Sequence, residues 1–342
     1  MDTLDPKNTL VTVTGASGFI AMHCVRELLE RGYRVRGTVR SRSSEASLRN
    51  ALLPLEPGER LSFVEADLTS DRGWQEAMHG AKYVIHVASP LPKKSPKDEQ
   101  TLIGPARDGA LRVLGAASRA GVARVVMTSS LAAIAAGRDD DESHVFDESD
   151  WSDLKPGVGA YEKSKTLAER AAWDFVRDLP SERRFELVCM NPVYVIGPSL
   201  TGAENASNEI IGKQIRREVP GVPRLYFQLV DVRDVAAAHV LAMTNERAAG
   251  ERFILQSDAA WMKEIADTLA VSGHRVSTRV VPDFMVRLIA LFDPTLRLVA
   301  KNVGRKYQVT AEKARTVLGW SGRSMKEMVL DTAASMTRQK AA

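Results

Sequence analysis

Tyr161 and Lys165 stand four residues apart in the run YEKSK, the spacing that puts two side chains on one face of a helix. An ammonium group beside a phenol favours the phenolate and lowers the tyrosine pKa from about 10 toward neutrality, which would make Tyr161 a usable proton donor to a carbonyl oxygen. Thirty-one residues before that tyrosine, the strand-like run ARVVMTSS ends in Ser130. A serine hydroxyl placed there could hydrogen-bond the same oxygen as negative charge builds on it, while hydride arrives from a nicotinamide. Taken singly, a Tyr-x-x-x-Lys match also describes an ordinary surface pair, so its meaning depends on what the chain places around it.

A second group of residues supplies that context. TGASGFIA follows the apolar run LVTV and leads into a helical pattern, so that backbone N–H groups and the positive end of a helix dipole would meet at one point, where phosphate binds. Gly15 permits the tight turn, Gly18 lets the backbone approach a pyrophosphate, and Ala21 is small enough for a helix to pack closely on its strand. The next strand-like run, YRVRGTVRSR, has no acid at its end, where one would hold an adenosine ribose 2′-hydroxyl; it has Arg40 and Arg42, suited to a 2′-phosphate. NADP(H) is therefore expected over NAD(H). Asp67, after the third strand, could either accept from an adenine amino group or cap a helix.

These residues need a scaffold that brings strand ends together. Short β-branched runs alternate with helical patterns at Phe19 to Arg31, Ser44 to Leu53, Asp71 to His79 and Asp98 to Arg119, which predicts βαβ units. The expected fold class is α/β: a Rossmann, doubly wound parallel sheet with a smaller C-terminal substrate-binding lobe. We place the NADP-binding Rossmann domain at 1–195, with a returning segment at about 228–258, and the lobe at 196–227 and 259–342. The polar stretch GRDDDESHVFDESDWSDLKPGVG is too long for a simple connection and should cover something. FMVRLIALFDPTLR reads as an amphipathic helix that packs the lobe.

The 342 residues, 44% hydrophobic and 26% charged, suit an ordinary globular chain. A net charge of +4 from dispersed residues does not imply nucleic acid, and the basic run Lys93-Lys94-Ser95-Pro96-Lys97 reads as a solvated loop. Cys24 and Cys189 show no paired spacing, and the six histidines show no metal-ligand spacing, so neither a disulfide frame nor a metal site is expected. The N-terminus is too polar for a signal peptide and no apolar run reaches the ~18 residues of a membrane helix, so we expect a cytoplasmic protein with no membrane partner.

The whole set of runs, VTGASGFIA, VRGTVR, ADLT, VIHVASP, RVVMTSS, YEKSK, NPVYVIGP, LVDVRDVAAAHVLAM and KARTVLGW, resembles an extended short-chain dehydrogenase/reductase. Within that superfamily the chain is similar to the dihydroflavonol 4-reductase and cinnamoyl-CoA reductase group, including its microbial aldehyde and ketone reductases. The resemblance implies an NADPH-dependent carbonyl reduction with Ser130, Tyr161 and Lys165 as the catalytic set, Ser129 being the lesser candidate. It assigns Gly15, Ser17, Gly18, Phe19 and Ile20 to the pyrophosphate loop, Arg40 to the 2′-phosphate, and Asp67 and Leu68 to the adenine edge. Val87, Ala88 and Ser89 match the strand behind the cofactor, and Pro192, Val193 and Val195 the segment along the nicotinamide. His86 reads as a core residue.

Two departures bear on substrate. Ala135 stands where plant dihydroflavonol reductases carry a ring-reading asparagine, and NPVYVIG differs from the NWYCY-type signature of cinnamoyl-CoA reductases. A smaller or more apolar aldehyde or ketone is the expected substrate. Its walls are expected from Ala132, Ala133 and Tyr194 and from the 199–228 segment holding Ile210, Ile211, Gln214, Leu225, Tyr226 and Phe227, residues that equally suit a lobe core. Two other readings remain open at this point: a nucleotide-sugar epimerase or dehydratase with bound NAD, and a non-catalytic NADP(H) sensor. The helices at Asp98–Arg119 and Tyr161–Arg177 commonly form a dimer interface in the superfamily, so monomer and homodimer both remain open.

Overall fold

A computed structural model describes residues 5–90, 96, 98–138, 143–202, 205–292 and 297–341. Lys93, Lys94, Ser95 and Lys97 of the basic run, and part of the FMVRLIALFDPTLR segment, lie outside the described residues. The first half alternates strictly: β1 (Leu10–Thr14), α1 (Phe19–Glu30), β2 (Arg34–Val39), α2 (Glu45–Leu52), β3 (Leu61–Glu65), α3 (Trp74–Met78), β4 (Tyr83–His86), α4 (Gln100–Arg119) and β5 (Arg124–Thr128). A short strand β6 (Val145–Phe146) then precedes α5 (Ala160–Asp178) and β7 (Glu186–Pro192).

The remainder is shorter-ranged. It runs β8 (Tyr194–Ile196), α6 (Glu209–Ile215), β9 (Val222–Pro223), β10 (Tyr226–Asp231), α7 (Val232–Thr244), β11 (Arg252–Leu255), β12 (Asp258–Trp261) and α8 (Met262–Val271). It ends with β13 (Val280–Val281), α9 (Asp283–Phe292), α10 (Arg297–Asn302), β14 (Gln308–Val309), α11 (Glu312–Leu318) and α12 (Met325–Ala341).

Seven parallel strands form the large sheet in the order β11-β7-β5-β4-β1-β2-β3, a doubly wound Rossmann-like arrangement whose order reverses between β1 and β4. Val11 and Val13 of β1, Val84 and Ile85 of β4 and Val125 and Val126 of β5 are fully buried, because helices cover both faces. Each such side chain contributes about 1.5–3 kcal/mol of burial. The polar residues among them are paired: Thr12 Oγ1 donates to the Ala77 carbonyl at 2.7 Å, and Thr14 Oγ1 meets His86 Nδ1 at 2.8 Å. A strand switch at Val193 carries the chain from β7 into β8 of a three-stranded sheet, order β12-β10-β8. Within the segment 228–258, then, β10 joins the small sheet, and only β11 pairs with the large one.

Helix α9 departs from the lobe-packing role expected for it. Val286 and Ala290 are buried, but Phe284, Leu288, Leu291 and Phe292 are 69%, 54%, 71% and 83% exposed. The described part of the long polar stretch folds back as expected of a cover, residues 139–142 lying outside the described residues: Ser152 N bonds the Ala133 carbonyl, Asp153 N the Ala136 carbonyl, and β6 pairs with β14. It thereby braces the turn that follows Ser130.

Candidate active site

Strand β5 ends at Thr128, and the chain runs through Ser129 and Ser130 into a single helical turn, Leu131–Ala133. The two serines have opposite roles. Ser129 is buried and its hydroxyl donates to Glu169, turned away from the sheet edge. Ser130 is half-buried, in extended backbone, and its Oγ accepts from Ala132 N at 3.1 Å. Thr128 behind them is fixed by His239: Nδ1 of that ring donates to the Val235 carbonyl at 2.7 Å, which leaves Nε2 to accept from Thr128 Oγ1 at 2.7 Å.

Helix α5 brings its chemistry-bearing residues to this strand end. It packs on α4, and its buried residues are Ser164, Lys165, Thr166, Ala168, Glu169 and Ala172, an unusual inward set because two of the six are charged. Ser130 lies within hydrogen-bonding reach of the Tyr161 phenol. Burial pushes Tyr161 above the ordinary phenol value; the Ser130 hydrogen bond pulls it down, and the nearby Glu162 adds a smaller upward push. This corrects the expectation that Lys165 brings Tyr161 toward neutrality: losing water disfavours the phenolate more than its surroundings favour it. Lys165 is itself lowered to about 8, by burial, against the opposing pull of Glu169. His86 is neutral: burial lowers it to about 3, Lys165 adds to that lowering, and Thr14 Oγ1 accepts from Ala88 N at 3.0 Å while bonding its ring.

The glycine loop has the features that a pyrophosphate requires. Gly15 has φ +65°, and a Cβ there would come within 3.1 Å of Ala88 Cβ; a Cβ on Gly18 would come within 3.1 Å of the Gly15 carbonyl. Thr38 fixes the turn by accepting Gly15 N on Oγ1 and Ala16 N on its carbonyl. Among the described residues the amides of Ser17, Phe19 and Ile20 have no backbone acceptor, and Gly18 caps α1 with no side chain in the way. Val87, Ala88 and Ser89, half-buried, follow β4 beside Gly15.

Arg40 and Arg42 are both exposed past the end of β2, but they differ. Arg42 approaches Glu45 at 4.0 Å, whereas among the described residues Arg40 has no hydrogen bond or ion pair. Asp67 caps no helix, since Gly73 occupies the N-cap of α3; its Oδ1 accepts Thr69 N at 2.7 Å and Thr69 Oγ1 at 2.5 Å. Those bonds lower its carboxyl, with a smaller pull from Arg40. Leu68 packs under Gly109 of α4. These donors and spaces fit a dinucleotide with a phosphate near Arg40.

The substrate-side residues are only partly brought together. Ala132 is half-buried and Ala133 fully buried behind the serine turn. Tyr194 meets Phe227 with tilted rings, centroids 5.4 Å apart, and both pack against the hydrophobic cluster around Ile211 and Leu229, near Ile210. Tyr226 is on the opposite face of β10, against Trp261 at 5.1 Å and beneath Lys306, so Tyr226 and Phe227 do not form one wall. Leu225 and Ile210 pack on Val222, Met262 and Ala266, and Ile211 is fully buried. Gln214 is 1% exposed, and neither atom of its amide has a partner. Pro192, Val193 and Val195 are buried along the strand switch. A cavity of about 760 Å³ lies elsewhere, between α1, the 198–202 segment, α7 and the C-terminal region, lined by His23, Arg26, Leu200, Arg233 and Arg323 and not by Ser130, Tyr161 or Lys165.

Sequence reasoning missed three residues that support this site: Glu169, Asn191 and Arg252. The bonds that join them to one another span 22 and 83 residues of chain, and only the Lys165–Glu169 spacing could have flagged one of them. Among the described residues no group of three His, Cys, Asp or Glu side chains could hold a metal, and no helix is long and apolar enough to cross a membrane. Cys24 and Cys189 are both free and buried, and burial raises both thiols.

Comparison with known proteins adds an independent line. Residues 11–255 match the NAD dependent epimerase/dehydratase family. Cinnamoyl-CoA reductase 1 of Arabidopsis thaliana is 36% identical over 341 residues, covering 98% of this chain and 91% of that protein. The NADPH-dependent methylglyoxal reductase of Saccharomyces cerevisiae is 30% identical over 351 residues, covering 96% and 98%. The crystal structure of yeast methylglyoxal/isovaleraldehyde reductase complexed with NADPH superposes with a TM-score of 0.82 at 28% identity, covering 97% of this chain and 99% of the other.

Proposed function

The chain belongs to the NAD dependent epimerase/dehydratase family, the extended short-chain dehydrogenase/reductases, and on that premise we propose that it is an NADPH-dependent reductase of small or apolar aldehydes and ketones. The observation that carries this reading is the Ser130 hydroxyl acting on the Tyr161 phenol beyond the end of β5, with Lys165 buried one turn on along α5. Similarity to NADPH-dependent reductases on both the sequence and the structural side supports the cofactor.

Bound NADPH supplies the hydride. Gly15, Ser17, Gly18, Phe19 and Ile20 offer the turn and the amides for its pyrophosphate, and Arg40 offers an uncommitted guanidinium for its 2′-phosphate. Asp67 and Leu68 flank the adenine side. Val87, Ala88 and Ser89 after β4, and Pro192, Val193 and Val195 along the strand switch, would lie behind the nicotinamide. Ser130 donates to the carbonyl oxygen as charge develops there, and Tyr161 gives that oxygen its proton. The elevated Tyr161 pKa keeps the phenol protonated at neutral pH, the form that reduction needs. Lys165 carries the positive charge that the phenolate left behind requires. Ala132, Tyr194 and Phe227 are the candidates to border the substrate's carbon chain, with the fully buried Ala133 behind Ala132.

Absorbance at 340 nm in the presence of aryl aldehydes, methylglyoxal, α-ketoesters, a dihydroflavonol and a hydroxycinnamoyl thioester tests this directly. Turnover of aldehydes or ketones with NADPH preferred over NADH is the expected result. NADPH binding with no turnover would favour a sensor, and tightly bound, non-exchanging NAD in purified protein would favour an epimerase.

A further inference from the structure

Glu169 lies one turn beyond Lys165 on the inward face of α5 and is fully buried. Its carboxylate accepts from Ser129 Oγ, from Asn191 Nδ2 at 2.8 Å, from Arg252 Nε at 2.6 Å and, at 3.4 Å, from Trp173 Nε1. Each partner ties it to a different part of the site. Asn191 Nδ2 also donates to the Ser130 carbonyl at 3.1 Å, one residue before the Pro192 that ends β7. Arg252, from the edge strand β11, stacks 3.9 Å over Trp151 and donates through Nη1 to the carbonyls of Glu148 and Asp150 in the covering loop.

A buried ion pair is poor evidence for stability, because apolar residues of similar volume commonly do as well at such sites, so its presence on this face calls for another explanation. The position supplies one. We propose that Glu169 is a positioning residue for the catalytic set, its carboxylate fixing the Ser130 backbone through Asn191 and, ion-paired directly with Arg252, lending its negative field to Lys165 one helical turn away. The inference rests on the reductase reading above.

Other titratable groups act on these two residues of α5. His86 of β4, held neutral, acts on Lys165, while Arg252 of β11, ion-paired at 2.6 Å, and the buried thiol of Cys189 on β7 act on Glu169. Among the described residues, Glu169 is the group that favours the charged form of the lysine against its burial. Removing that negative charge should therefore let Lys165 lose its proton at lower pH.

The test is Glu169→Gln in the full chain, which keeps the side chain's shape and removes its charge. The basic limb of the kcat/KM profile should move down by about one pH unit, with kcat at neutral pH falling about ten- to a hundredfold and the NADPH Kd within about twofold of wild type. A purely structural role would lower the melting temperature and leave the limb in place. A basic limb that coincides with wild type overturns the proposal, whatever the loss of rate. If Glu169→Gln does not fold, Glu169→Asp carries the test: the charge is kept and its reach shortened, so kcat should fall with the limb unmoved, and an unchanged kcat overturns the proposal. Wild-type protein that reduces no carbonyl at all would instead overturn the reductase reading, and this inference with it.

Discussion

Arg40→Ala isolates the basis for cofactor choice. Arg40 is exposed past the end of β2 and, among the described residues, makes no hydrogen bond or ion pair, so truncating it leaves no buried group unsatisfied. The melting temperature should stay within a degree or two of wild type, as for a surface change of about 0.5 kcal/mol or less. A charge-assisted, bidentate contact to a phosphate contributes about 1.5–3 kcal/mol, and solvent exposure argues for the lower end. At about 1.4 kcal/mol per factor of ten, kcat/KM for NADPH should fall about tenfold while that for NADH, which has no 2′-phosphate, stays within about twofold. Arg42, drawn toward Glu45, is the control, and its alanine variant should change the ratio little. The effect should shrink as ionic strength rises. Initial rates with each cofactor at saturating aldehyde measure it. An unchanged NADPH-to-NADH ratio in Arg40→Ala would refute the assignment, and an equal loss with both cofactors would mean that Arg40 acts on something the two share.

Lys165, held at about 8, predicts that kcat/KM declines as pH rises through that value. The lysine's pKa is depressed on folding, so between about 8 and the unfolded value near 10.4 the unfolded chain binds more protons, and this group's contribution to stability rises with pH. Activity lost in that window without a fall in melting temperature at pH 8–9 is the expected pairing; parallel loss of both would contradict it. Gly37→Ala puts a Cβ 2.7 Å from Ala16 Cβ and 2.9 Å from the Phe63 ring, directly behind the glycine loop. It should destabilise the fold by about 1–3 kcal/mol and weaken NADPH binding, readable by denaturant titration and cofactor fluorescence. A variant with wild-type stability and Kd would show that the loop tolerates displacement.

Much of the architecture could be read from the chain because its signals are local. Runs such as TLVTVT and KYVIHVA are apolar and β-branched, and the helices between them carry apolar residues at helical spacing, so β1 to β5 and α1, α2 and α4 are where periodicity places them, with α3 shorter than expected. The glycine loop and the Tyr161–Lys165 spacing are likewise properties of a few consecutive residues. What could not be read depends on burial or on distant partners. The upward displacement of Tyr161 comes from loss of water, which spacing does not reveal. Arg252 reaches Glu169 across 83 residues. The separation of Tyr226 from Phe227 was legible in principle, since neighbours on a strand face opposite ways. The outward apolar side of α9 gave no sequence signal, because the same pattern would suit a helix buried on that side.

Tyr161→Phe tests the central claim most directly. It removes one oxygen, the one proposed to donate the proton, and leaves the ring in its half-buried site. The account predicts NADPH binding within about twofold of wild type and a loss of aldehyde turnover of about a hundredfold or more, as expected for removal of a general acid. A Tyr161→Phe variant that binds NADPH and still reduces aldehydes at the wild-type rate would contradict it.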